Sequence, residues 1–201
     1  MAYISLGPTC SVAYQLQKLG KKKESLPFDW IRCPNIKDVI HLITNNFQGF
    51  LDEISFVRDD TKFPLIKDSE IFDDVLDKET KIYRNEKLNL GFFHDFKDGV
   101  TLEDVREKYN RRIKRFYETV KNECIFIRDD MYFHQENVDD YNNLYQILVE
   151  FNDQNKLVLI INMSKNIYDL TGLNPAIKVF IDNEKQTEWQ HHKITSFIEH
   201  L

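Results

Sequence analysis

Residues 157–162 read LVLIIN, six positions with almost no polar interruption. A strand with one face on water alternates apolar and polar side chains, so an unbroken apolar run needs cover on both faces. YISL at 3–6, CIFIR at 124–128 and IKVFI at 177–181 share this texture. The intervening segments carry apolar residues at helical spacing instead. Val12, Leu16 and Leu19 do so over 10–19, with Gly20 placed to end the helix and Lys21 to Lys23 beyond it. Ile36, Val39, Ile40, Ile43 and Phe47 follow Asn35, a natural N-cap. Val105, Tyr109, Ile113, Phe116 and Val120 follow a Thr101–Asp104 pair that resembles a capping box. Tyr141, Leu144, Leu148 and Phe151 mark a helix over 138–151, and 187–200 reads as a closing helix. Covered strands alternating with amphipathic helices predict the α/β class, as one domain over 1–201 with a largely parallel sheet flanked by helices. SLPFDW (25–30) reads as an extended connection. Residues 52–100, rich in Asp and Lys with short strands at 81–84 and 90–94, read as an irregular insertion or flank.

Composition narrows the function classes. A formal net charge of −6 argues against a general nucleic-acid binder, which needs a basic face. No run approaches the roughly 20 apolar residues of a membrane span, and the first residues lack a signal peptide's pattern, so a cytoplasmic protein without a membrane partner is expected. Cys10, Cys33 and Cys124 form no CxxC, which gives a metal site or dithiol centre no support and suits a reducing compartment. GPTCS at 7–11 is neither phosphate-binding glycine motif, and no cofactor is implied.

Open parallel sheets place their sites beyond the carboxyl ends of the strands. Cys10 follows the first strand, Arg128 with Asp129 and Asp130 ends the next clear one, and Asn162 to Ser164 ends the third. These points are expected to converge. At the start of a helix, unpaired N–H groups favour a thiolate and can hold an oxyanion, so Cys10 is a candidate nucleophile. The alternative is a small buried cysteine, because free Cys is among the most buried residue types. Gly7 allows a tight turn and close substrate approach. Gly7, Thr9, Ser11, Trp30 and Arg128 are the expected substrate contacts.

A thiol hydrolase also needs a base, usually His. His191, His192 and His200 fall on a polar terminal helix, and His41 lies mid-helix. His134 follows Tyr132 and Phe133 after the Asp129–Asp130 turn. His94, inside GFFHDF at 91–96, lies among aromatics that would keep it neutral. Its alternative reading is a core histidine with a satisfied hydrogen bond. Asp95 or Asp29 could orient it. A regular strand would turn Asp95 to the face opposite His94, so that pairing requires a loop or a strand end. The basic stretch RRIKR (111–115) could bind an anion or form the solvated side of a helix with pairs such as Glu107–Arg111.

ISLGPTCSVAYQL, SLPFDWI, GFFHDF and RRIKRF…CIFIR, in that order, make most of the chain resemble a domain family found in bacteria and large DNA viruses. Its members are described as papain-like cysteine peptidases of uncharacterised function. The resemblance implies a cysteine hydrolase with Cys10 as nucleophile and His94 as base, Asp95 or Asp29 orienting the ring, and an α+β papain-like fold as the alternative architecture. For a viral chain it implies the host cytoplasm. A papain-type fold opens on its cysteine helix, whereas here a strand directly precedes the cysteine. That arrangement also suits an acyl hydrolase or transferase acting on a glycan or small molecule. The expected partner is therefore a peptide or acylated substrate. A binding or host-interaction module without catalysis is the competing class.

Overall fold

The computed structural model describes residues 1–57, 81–97, 99–130, 138–163, 169–183 and 192–201. Two four-stranded sheets organise them. The first is parallel throughout: β1 (Ala2–Ser5), β6 (Cys124–Asp130), β7 (Lys156–Asn162) and β8 (Lys178–Asp182), in that spatial order. The second is antiparallel: β2 (Ile31–Arg32), β5 (Leu90–Phe96), β4 (Lys81–Asn85) and β3 (Ile54–Val57). The helices are α1 (Ser11–Lys18), α2 (Ile36–Thr44), α3 (Leu102–Thr119), α4 (Val138–Phe151) and α5 (His192–Glu199). The chain is thus a mixed α/β fold, its parallel sheet flanked by helices and accompanied by a smaller antiparallel sheet.

The apolar strands are covered on both faces, as their composition requires. On one face Ile125, Ile127, Val158 and Ile160 pack with Val12 and Leu16 of α1 and Ile198 of α5. Gln15 accepts a hydrogen bond from Thr195 at 2.6 Å, and Lys21 donates to the Ile198 carbonyl at 3.0 Å, which ties the two helices together. The other face carries Phe126, Leu157, Leu159 and Ile161 into the main core with Tyr109, Phe116, Leu144 and Leu148. Phe28, Phe47, Phe50, Phe92 and Phe116 extend that core under the antiparallel sheet through edge and tilted ring contacts.

Local signals set the element ends. Asn35 accepts from the Lys37 amide, and Thr101 and Asp104 form a reciprocal capping box. Within 52–100 the described residues form β3, β4 and β5, while 58–80 lie outside the described residues. SLPFDW leads directly into the two-residue strand β2. Among the described residues, no helix is long and apolar enough to cross a membrane.

Candidate functional site

Cys10 is the N-cap residue of α1, and its carbonyl accepts from the Tyr14 amide at 2.9 Å. The turn that delivers it is closely specified. Gly7 has φ +80°, a left-handed conformation that glycine adopts without strain. A Cβ there would lie 3.7 Å from both Arg128 Nη1 and the Cys33 carbonyl. Thr9 Oγ1 accepts from the Ser11 amide at 3.3 Å, closing the first turn locally. Cys33 N–H donates to the Pro8 carbonyl at 2.9 Å, so the cysteine turn is sutured to the end of β2. Pairing of Arg32 with Gly91 then joins β2 to β5, the strand that carries His94.

On β5 the register is irregular. Tyr83 faces Phe92 but Lys81 faces Phe96, so two steps on β4 span four on β5, and His94 and Asp95 lie in that shift. Such irregularities bend a strand and re-aim its side chains. His94 is exposed and meets the Trp30 ring edge-on at 6.4 Å between centroids. Asp95 is buried on the α3 side. Its Oδ2 accepts from the Tyr109 hydroxyl at 2.8 Å, its Oδ1 lies 2.5 Å from Lys108 Nζ, and Arg112 Nη1 is 3.9 Å from the same oxygen. Adjacent in sequence, His94 and Asp95 therefore face different surroundings.

Arg32 connects the two candidate reactive groups electrically. Its guanidinium lies 3.9 Å over the Phe93 ring. Burial pushes the Cys10 thiol pKa up, and the Arg32 charge pulls it partly back. At His94, desolvation holds the imidazole pKa below its ordinary value, against the pull of Asp95, and Arg32, Lys97 and Lys108 lower it further. Both groups therefore rest uncharged at neutral pH: a thiol and a neutral imidazole. Cys10 is half-buried, whereas Cys33 and Cys124 are buried.

The other expected site residues have structural partners. Arg128 is fully buried and donates to the carbonyls of Leu6 at 2.8 Å, Cys33 at 3.2 Å and Pro34 at 2.6 Å. It fastens the cysteine turn to the approach of α2, its side chain lying on the Phe126 face of the sheet. Asp29 is buried, accepts from the Leu26 amide and Lys22 Nζ, and so closes the SLPFDW turn. Ser11 is buried and donates to Asp129 Oδ2 at 3.4 Å. Thr9 and Gly7 serve the turn itself. His41 and His200 are exposed, and His200 Nδ1 lies 2.6 Å from the Ser196 carbonyl. His134 and His191 lie outside the described residues, as does Ser164.

The carboxyl edge of the parallel sheet does gather the expected strand ends. Alternation sends Asp129 toward Ser11, and Asp130 to the opposite face, where it accepts from the Tyr141 hydroxyl. Asn162 donates to Asp182 at 3.1 Å on the neighbouring strands. Burial raises the Asp129 pKa to about 7, with Asp130 adding to the effect. Among the described residues, no group of His, Cys, Asp or Glu side chains is arranged to hold a metal ion. A cavity of about 520 Å³ opens at the opposite, amino end of the strands, lined by Met1, Tyr145, Lys156 and Lys178 among others. The general rule for open α/β sheets puts chemistry at the other end.

Sequence reasoning did not single out Arg32, Lys108 or Tyr109. Arg32 had one usable signal, its place two residues after Trp30 on an extended segment. Lys108 and Tyr109 share a helix face pattern with ordinary core and surface positions, which carries no functional mark.

No solved structure matches this chain significantly. An uncharacterised protein, R408, of Acanthamoeba polyphaga mimivirus is 36% identical over 213 residues, covering 96% of this chain and 93% of that protein. Residues 1–166, which include the cysteine turn, PFDW and HDF, match the family described as "Putative papain-like cysteine peptidase", and the chain belongs to that family.

Proposed function

We propose that the chain is a thiol-dependent hydrolase in which Cys10 attacks a carbonyl and His94 is the general base. The observation that carries this reading is the backbone link between the two segments, Cys33 to Pro8 and Arg32 to Gly91 on the strand of His94, with Arg32 acting on both groups. A neutral imidazole can accept the thiol proton as the S–C bond forms. The first-turn amides of α1 are suited to the oxyanion. The imidazolium then returns the proton to the leaving group as its bond to carbon breaks. Water, deprotonated by the same ring, releases the acyl group and regenerates the thiol. Arg32 favours the thiolate relative to the thiol during attack, while keeping the resting imidazole uncharged. A peptide, isopeptide or ester carbonyl satisfies this chemistry. The position of Cys10 directly after a parallel strand also favours acyl transfer to a small acceptor as a second outcome.

Alkylation kinetics test the pair. Iodoacetamide should label Cys10 at pH 7 faster than Cys33 or Cys124, and His94→Ala should slow Cys10 labelling about tenfold or more, in line with removal of a general base. Cys10→Ser should lose that labelling while keeping the fold. Cys10 labelling that is indifferent to His94→Ala would sink the hydrolase and leave the binding module. Peptide, ubiquitin-like and ester warheads then separate the substrate classes.

A further inference from the structure

PFDW and HDF divide in the same way. Trp30 and His94 meet ring to ring, while their sequence neighbours Asp29 and Asp95 are buried at 0% and 3% exposure. Beneath them α3 supplies Lys108, Tyr109 and Arg112, all directed at Asp95. Burial pushes the Tyr109 pKa far up, so its hydroxyl stays protonated and donates to Asp95. Arg112 lies 4.9 Å over the Tyr109 ring, completing a packed ionic cluster. An Asp directly after a base is the natural place to seek an orienting carboxylate, and this one is engaged from α3. The charged groups acting on His94 are Asp95 and Lys97 on its own segment, Arg32 on β2 and Lys108 on α3.

We propose that Lys108 is a positioning residue for His94: strand alternation turns Asp95 to the α3 side, and Lys108 with Tyr109 fixes it there and offsets its charge at the imidazole. Cys10 and His94 then work as a dyad whose ring is fixed by Trp30. This inference rests on the reading of His94 as the base. Its consequence is electrostatic. Lys108 offsets part of the Asp95 charge felt by the ring, adding to the desolvation that keeps the imidazole neutral. Without it, Asp95 favours the protonated ring.

The test is an NMR titration of the His94 ring, which needs no substrate and no activity. Lys108→Met should raise its midpoint by a few tenths of a pH unit, and Lys108→Arg should restore it. Asp95→Asn should lower the midpoint, yet leave the neutral ring's tautomer unchanged and Cys10 alkylation within about threefold of wild type, since a dyad needs no orienting acid. An unmoved midpoint in Lys108→Met, a tautomer switch in Asp95→Asn, or a collapse of alkylation in Asp95→Asn would overturn the proposal. If Lys108→Met does not fold, the Asp95→Asn/Lys108→Met pair removes both charges, and its midpoint should lie above that of Asp95→Asn alone. A midpoint no higher than that of Asp95→Asn overturns the proposal. Failure of the hydrolase reading is separately visible, as Cys10 labelling that ignores His94.

Discussion

The two sheets handle charge in opposite ways. At the carboxyl edge of the parallel sheet, Arg128, Asp129 and Asp130 are buried in succession. A regular ladder deals them to alternate faces: Asp129 to α1, Arg128 and Asp130 to the main core. Each is enclosed by the helix or turn covering its face. In the antiparallel sheet, β5 carries a register shift, and there the chain turns one ionisable group outward and the next inward. Alternation separates neighbours in both sheets; what differs is the cover, since each face of the parallel sheet's edge is enclosed while β5 leaves His94 exposed. The sulfur of the proposed pair comes from the edge of the regular sheet, and the ring comes from the irregular one.

The largest expected effect breaks this comparison at its buried end. Arg128→Met leaves three backbone carbonyls without their donor and cuts the tie between the cysteine turn and Pro34. A loss of about 3–5 kcal/mol in unfolding free energy is expected, read from the shift of the urea midpoint. If Arg128→Met instead matches wild-type stability while losing Cys10 reactivity, the guanidinium serves a ligand and the contrast between the sheets fails.

Asp129 gives the next effect, with a sign that pH reveals. Its folded pKa is about 7 against an ordinary 3.8, so the fold holds this proton more tightly than the unfolded chain does. The stabilisation is complete below about pH 3.8 and is lost as pH rises through about 7. Asn cannot ionise and keeps an oxygen for the Ser11 hydroxyl. Asp129→Asn should therefore exceed wild type by on the order of 3 kcal/mol at pH 8, an advantage that vanishes near pH 4. Urea unfolding at the two pH values measures it. An equal difference at both would mean that the Asp129 carboxyl is not enclosed as described.

The same contrast explains what was legible in the sequence. LVLIIN and CIFIR announce themselves because double-sided burial leaves an unbroken apolar run, and the helices announce themselves through spacing and caps at Asn35 and Thr101. β2 and β3 do not. Two residues hold no period, and β3 exposes Phe56 at 53%. At the site, Cys10, Trp30 and His94 were visible as motif residues. The roles of their neighbours were not, because they depend on partners distant in sequence: Arg128 on Cys33 and Pro34, Asp95 on Lys108 and Tyr109. The basic stretch on α3 shows how a surface reading divides. Arg111 lies 3.9 Å from Glu107 in an exposed pair, whereas Arg115 donates to the Ser25 carbonyl at 2.7 Å and Arg112 turns toward Asp95.

The smallest expected effect sharpens the comparison at its exposed end. Trp30 holds its own position through Nε1, which donates to Ser25 Oγ at 2.9 Å, and offers a ring edge to His94. Desolvation is the largest cause of the lowered His94 pKa, so removing a large neighbouring ring lets water reach the imidazole. Trp30→Ala should lose about 1 kcal/mol of stability and raise the His94 midpoint by a few tenths of a pH unit, with faster exchange of its ring protons. Trp30→Phe retains an aromatic edge without the Ser25 hydrogen bond and should fall between the two. A midpoint that drops in Trp30→Ala would mean that the ring fixes His94 by excluding a cation and not by excluding water. Arg32 or Lys97 would then be the group whose distance the tryptophan controls, because both already act to lower the same pKa.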